Sequence, residues 1–140
     1  MTVESLIAFD FGLKYIGVAV GETFTGSSKP LECIKTHPTM PWGKMDEVFK
    51  CWGPDLIIIG NPLTLEGKEQ PISVHVKKFS QQLIHRYKLP VTWIDERFST
   101  KEAKDRLFAE HGYQGLKKES IDALSAEIIL RQWLDEQKSI

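Results

Sequence analysis

The sequence is poor in cysteine, in long apolar runs and in surplus charge of either sign. Cys33 and Cys51 are the two cysteines among 140 residues, at a spacing that fits no zinc or redox motif. That argues against a secreted disulfide scaffold, and two reduced thiols suit a cytoplasmic protein. The densest apolar stretch, Leu56 to Ile59, is far too short to span a bilayer. The start, Met1-Thr2-Val3-Glu4, lacks the basic and apolar regions of a signal peptide. A soluble protein with no membrane partner is expected. No internal repeat, low-complexity tract or linker is visible. Gly43-Lys44 and Gly67-Lys68 are not followed by Ser or Thr, so no Walker-type phosphate loop is present. The histidines, His37, His75, His85 and His111, show no ligand spacing. A formal net charge of −1 lacks the basic surplus that usually announces a nucleic-acid partner. A polyanion would have to be met by a local basic face or by bound cations.

What is present is ordinary for a folded chain: 41% hydrophobic and 26% charged residues, in a length that fits one domain over residues 1–140. A chain of this size buries roughly two-thirds of its unfolded surface, so it needs no staple to build a core. Ser5 to Asp10 reads as a buried strand, Gly12 as a turn, and Tyr15 to Val20 as a second strand close enough to pair as an antiparallel hairpin. Leu31 to Thr36 is a third strand. Residues 42–52 have helical spacing, with Met45, Val48, Phe49 and Trp52 on one side. Asp55 to Gly60 is continuously apolar, the mark of a strand covered on both faces. A helix over 72–88 follows, with Val76, Phe79, Leu83 and Ile84 at core spacing, then a strand over Pro90 to Asp95. Ser99 with Glu102 forms a capping box for a helix running to about His111. Ser120 is a suitable N-cap for the last helix. The order predicts an α/β fold with a mixed five-stranded sheet, antiparallel at first and then parallel, covered by helices. Right-handed crossovers make the strands ending at Asp10, Gly60 and Asp95 mutually parallel. Trp93 and Trp133 are expected in the core, and core packing is also the default for Trp42 and Trp52.

In open α/β sheets the site lies outside the carboxyl ends of the parallel strands. Asp10, Asn61 and Asp95-Glu96 end three such strands, and Asp122 falls in the first turn of the last helix. Asp10, Asp122 and one of Asp95 or Glu96 therefore form a candidate acidic cluster. Clustered carboxylates resist ionising together unless compensated, and a hard divalent cation is the usual compensation. Mg²⁺ or Mn²⁺, as two ions about 4 Å apart, suits phosphodiester cleavage. The bland alternatives are a turn residue at Asp10, a turn or cap at Asp95 and a favourable helix-dipole contact at Asp122.

Four motifs carry a resemblance: Asp10-Phe11-Gly12-Leu13-Lys14-Tyr15-Ile16-Gly17-Val18-Ala19-Val20; Ile58-Ile59-Gly60-Asn61-Pro62-Leu63 followed by Gly67; Asp95-Glu96-Arg97-Phe98-Ser99-Thr100; and Ile121-Asp122-Ala123-Leu124-Ser125-Ala126. In this order and over almost the whole chain, they resemble the YqgF/RuvX family of RuvC-like resolvases, also described as pre-16S rRNA nucleases. The resemblance implies an RNase H-like fold and catalytic, metal-binding acids at Asp10, Glu96 and Asp122. It thereby selects Glu96 over Asp95. It implies a divalent-metal-dependent nuclease acting in 5′-end maturation of small-subunit ribosomal RNA, with Holliday-junction DNA as the alternative substrate. Two positions depart from the family's pattern. Tyr15 stands where Arg is frequent, leaving Lys14 as a partial substitute, and Asn61 stands in a loop that usually reads Gly-Leu-Pro.

Basic and polar residues near the motifs supply candidate nucleic-acid contacts: Lys14, Asn61, Arg97, Ser99, Lys101, Lys104, Lys117 and Lys118. Interleaved Glu102 and Asp105 equally suit a solvated helix face. Monomer and homodimer are both compatible with the sequence. Two other function classes compete. One is a non-catalytic RNA-binding ribosome-assembly factor on the same fold. The other is an ATPase-like domain, because Asp10-x-Gly12 with Gly17-Val18 also resembles the phosphate loop of the actin–sugar-kinase superfamily, whose members need two such domains.

Overall fold

The computed structural model describes residues 3–63, 66–95, 109 and 118–138. Five strands form one sheet: β1 (Ser5–Phe11), β2 (Tyr15–Glu22), β3 (Ser28–Lys35), β4 (Leu56–Asn61) and β5 (Val91–Asp95). Three helices accompany them: α1 (Trp42–Trp52), α2 (Ile72–Tyr87) and α3 (Lys118–Lys138). The strand order is β3-β2-β1-β4-β5. β1–β2 and β2–β3 pair antiparallel, whereas β1–β4 and β4–β5 pair parallel, as the element order predicts. The carboxyl ends of β1, β4 and β5 thus share one edge. The helix expected over residues 99–111 lies outside the described residues, apart from Ala109.

β1 and β4 are apolar at successive positions because each packs on both faces. Ile7, Phe9, Ile16, Val18, Ile57 and Ile59 face α1 and α2, where they meet Met45, Phe49, Val76, Phe79 and Leu83. Leu6, Ala8, Ala19, Ile58 and Ile94 face α3, where they meet Ala126, Ile129, Leu130 and Leu134. The first face is filled by aromatics: Phe9 meets Phe79 edge-on at 5.4 Å, and Phe49 stacks on Tyr87 at 3.7 Å. The second has Ala8 and Ala19 among larger residues, and Gly17 in the same row lets the first turn of α3 lie close to the sheet. Glu127 of α3 is buried and accepts a hydrogen bond from the Ser28 hydroxyl at 3.0 Å, with Arg131 at 3.7 Å. This contact fixes α3 against β3.

Three sequence expectations change. α3 begins at Lys118, so Ser120 lies inside its first turn rather than at the cap. Ile84 is 44% exposed, because it sits at the margin of the apolar stripe on α2. Trp93 is 38% exposed, because β5 is an edge strand.

Asp46 of α1 ties this helix to the end of α2. It accepts two hydrogen bonds from Arg86, at 2.7 and 2.6 Å, and one from the Tyr87 hydroxyl at 2.6 Å. Arg86 first, then Tyr87, holds the carboxyl below its ordinary 3.8, at about 2. A carboxyl depressed by folding contributes stability above its unfolded value and loses it as pH falls through the folded one. Between about pH 4 and pH 2, wild-type melting temperature is therefore expected to fall more steeply than that of Asp46→Asn. Parallel slopes in thermal melts across that window would contradict the contact's role.

Candidate active site

Alternation along β1 sets the direction of Asp10. Leu6 and Ala8 pack under α3, and Asp10 is the next residue of the same parity. Its partner across the β1–β2 pair is Gly17, whose own partner on β3 is Cys33. The first turn of α3 lies directly over this row. A Cβ added at Gly17 would stand 1.9 Å from the Asp122 carbonyl oxygen. Glycine at 17 is thus what admits Asp122 to the surface that also carries Asp10. The thiol of Cys33 donates to Asp122 Oδ2 at 3.7 Å, a weak contact that lies against the carboxylate.

Asp10 and Asp122 both line one open pocket of about 540 Å³, together with Lys14, Tyr15 and Ile72. The β1–β2 turn brings Lys14 and Tyr15 there. A Cβ at Gly12 would meet the Tyr15 carbonyl oxygen at 2.5 Å, so this turn closes only with glycine. The Lys14 carbonyl is held by the Thr36 N–H at 2.8 Å, which pins the turn to the end of β3. Two acids from opposite ends of the chain, a lysine and a tyrosine therefore share one concave surface at the carboxyl edge of the sheet.

Asn61 ends β4 at the same edge but on the other face. It lines a second cleft, with Ser73, Lys77, Ser80, Gln81 and Trp93. Lys118 opens α3 one turn before Asp122. Glu96, Arg97, Ser99, Lys101, Lys104 and Lys117 lie outside the described residues. Among the described residues, no three His, Cys, Asp or Glu side chains gather as a metal site. The two described acids nevertheless suit a hard cation, because they offer carboxylate oxygens in an open, solvent-reached pocket.

The residues the sequence did not single out are Cys33, Ile72 and, as a pocket wall, Tyr15. Cys33 carries a signal only once strand register is known, since Gly17↔Cys33 pairing puts it beside Asp122. Ile72 is brought in by the start of α2, which local pattern cannot orient.

A family model described as "RuvX: Holliday junction resolvase" matches residues 4–136. The chain belongs to the RuvX family. Similar curated proteins of the family are named "Putative pre-16S rRNA nuclease". One from Aeromonas hydrophila is 43% identical over 138 residues, covering 98% of this chain and 99% of its own. One from Wigglesworthia glossinidia brevipalpis is 47% identical over 131 residues, covering 93% and 91%. Among solved structures, Thermus thermophilus RuvC superposes on this RuvX chain with a TM-score of 0.62 at 15% identity, over 96% of each chain. The same protein in complex with a Holliday junction substrate gives 0.63 at 14%, again over 96% of each. The shared architecture is RNase H-like.

Proposed function

We propose that this protein is a divalent-metal-dependent nuclease that hydrolyses phosphodiester bonds in the 5′-end maturation of precursor small-subunit ribosomal RNA. The observation that carries this reading is the convergence of Asp10 and Asp122 with Lys14 in one open pocket at the carboxyl edge of the sheet. The names of the curated relatives support the choice of substrate. Hydrolysis adds a water oxygen to phosphorus, breaks one ester P–O bond and leaves the proton on the departing sugar oxygen. When bound, Mg²⁺ or Mn²⁺ would supply charge neutralisation and water activation at the scissile phosphate. Asp10 and Asp122 would hold it. Glu96 is the third acid implied by the family motif. Lys14 would attract and orient the phosphate on the side where Tyr15 stands. Arg97, Ser99, Lys101, Lys104, Lys117 and Lys118 are proposed phosphate contacts along the same strand of substrate. Among the described residues no helix is long and apolar enough to cross a membrane. A cytoplasmic setting, as one domain acting as monomer or homodimer, completes the proposal.

The test is cleavage of precursor ribosomal RNA by the purified protein, with a branched DNA junction in parallel. Chelation is expected to abolish cleavage, and Mg²⁺ or Mn²⁺ to restore it. Cleavage that survives exhaustive chelation would overturn metal dependence, and preferential cutting of the junction would move the substrate to DNA. Tyr15 at a wall of the acidic pocket favours one further reading, a ribosome-assembly factor that binds RNA without cutting it. That reading predicts salt-sensitive RNA binding with no cleavage under any divalent ion.

A further inference from the structure

The cleft on the opposite face of the sheet from Asp10 has a chemistry of its own. It encloses about 300 Å³ between the ends of β4 and β5 and the first turns of α2. One wall is the Trp93 indole, which a core role would bury and which is instead 38% exposed. The other walls are Asn61, Gln81, Lys77, Val76 and the buried Ser73 and Ser80, the Ser73 hydroxyl being engaged by the Gln70 N–H at 3.0 Å. Among its described lining residues none is a carboxylate, and Glu69 pairs with Lys77. An aromatic face, two amides that both donate and accept, and a cation describe a site for a planar polar ring attached to an anion.

Its location relates it to the acidic pocket. Ile72 lines the acidic pocket and the adjacent Ser73 lines the cleft, so the start of α2 separates the two. In the plane of the sheet β1 and β5 lie two strand spacings apart, about 10 Å, and passing from one face to the other lengthens the path beyond the roughly three stacked nucleotides that this distance holds. A single strand held at Asp10 and Asp122 that crosses the sheet edge would bring a nucleotide several positions away to Trp93.

We propose that this cleft is a nucleobase subsite. The Trp93 indole stacks on an unpaired base, several nucleotides from the phosphodiester held at Asp10 and Asp122, and Asn61 and Gln81 meet the edge of that base. The proposal rests on the nuclease reading for its register, but the cleft's chemistry is read independently of it. Stacking on an aromatic side chain tolerates any base, so it selects unpaired over paired strands rather than one sequence over another. Asn and Gln can add a preference for adenine through paired donor and acceptor contacts.

The test compares a short single-stranded oligoribonucleotide with the same sugar–phosphate backbone lacking its bases. Binding is measured by fluorescence anisotropy with Ca²⁺ in place of Mg²⁺, so that cleavage does not intrude. Wild-type protein is expected to prefer the intact strand by about tenfold, from the usual worth of one stacked base. Trp93→Ala brings that ratio close to one, and Trp93→Phe restores most of it. Each variant is compared with itself on two ligands, so a general loss of stability does not imitate the result. An unchanged ratio in Trp93→Ala, or no preference in wild type, overturns the subsite. Wild type that shows the preference but cleaves no RNA under Mg²⁺ overturns the nuclease reading and leaves the subsite standing. Wild type that cleaves while binding both ligands alike does the reverse, and failure to bind either ligand overturns both.

Discussion

Asp10→Asn and Asp122→Asn are each expected to lower cleavage of precursor RNA by more than about a hundredfold, beyond the ~10–100-fold typical of losing even an outer partner of a metal ligand. Asparagine keeps the shape of aspartate and removes its charge. Neither carboxylate is fully buried, and Asp122 accepts a weak hydrogen bond from the Cys33 thiol at 3.7 Å. Asparagine is isosteric and both positions are part-exposed, so the substitutions keep the packing, and they remove charge from two acids that share a pocket. Thermal melts of the metal-free variants should match or slightly exceed wild type. A divalent ion that raises the melting temperature of wild type should raise that of either variant less, because binding to the folded state alone stabilises by mass action. The paired result, activity lost with stability kept, separates a metal-holding role from a structural one. Folded Asp10→Asn protein that still cleaves at the wild-type rate would remove Asp10 from the mechanism. The same outcome for Asp122 would leave its position over Gly17 as a matter of packing alone. Glu96→Gln is expected to behave like the other two, on the strength of the family motif.

Much of the fold could be read in advance because the chain states it locally. The turn at Gly12 between two short apolar runs predicts the hairpin, and the continuous run from Leu56 to Ile59 predicts a strand covered on both faces. Element order, with the strands taken as parallel, made Asp10 and Asp122 candidates for one edge beside their readings as turn and helix-dipole residues. Which face each side chain takes was not legible. Residues 6–9 of β1 are all buried, so their pattern does not distinguish the side under α3 from the side under α2. The assignment comes from non-local packing: small residues at Ala8, Gly17 and Ala19 admit α3, while Phe9, Phe49 and Phe79 fill the other side. The same gap explains Asn61, which ends a parallel strand beside Asp10 yet opens into the cleft against α2. Trp93 was expected inside as a core-filling aromatic. Its exposure follows from β5 standing at the sheet edge, which depends on strand order rather than on the residues of β5.

Gly17→Ala is the substitution expected to disturb the site most without touching its chemistry. The added methyl would meet the Asp122 carbonyl oxygen at 1.9 Å, its carbonyl carbon at 2.5 Å and the Ala123 nitrogen at 3.2 Å. All three are backbone atoms, so no rotamer change relieves the overlap, and either β2 or the first turn of α3 must move. Overpacking of this kind typically costs about 1–3 kcal/mol, with larger values where nothing can give. At roughly 2–4 °C per kcal/mol for chains somewhat larger than this one, and more for smaller ones, the melting temperature should drop by several degrees. The control is Gly43→Ala on α1, where nothing lies within 4 Å of the added carbon. Alanine in a helix is favoured over glycine, so that variant should melt at or above wild type. The catalytic consequence is separate from the stability one. Lifting the start of α3 carries Asp122 away from Asp10, and a displacement of about 1 Å at a reacting centre can cost on the order of a hundredfold in rate. Gly17→Ala assayed well below its melting temperature should therefore cleave far more slowly than Gly43→Ala. Equal melting temperatures and equal cleavage rates for the two variants would mean that α3 does not rest on β2 at Gly17. The convergence of Asp10 and Asp122 would then fall with it.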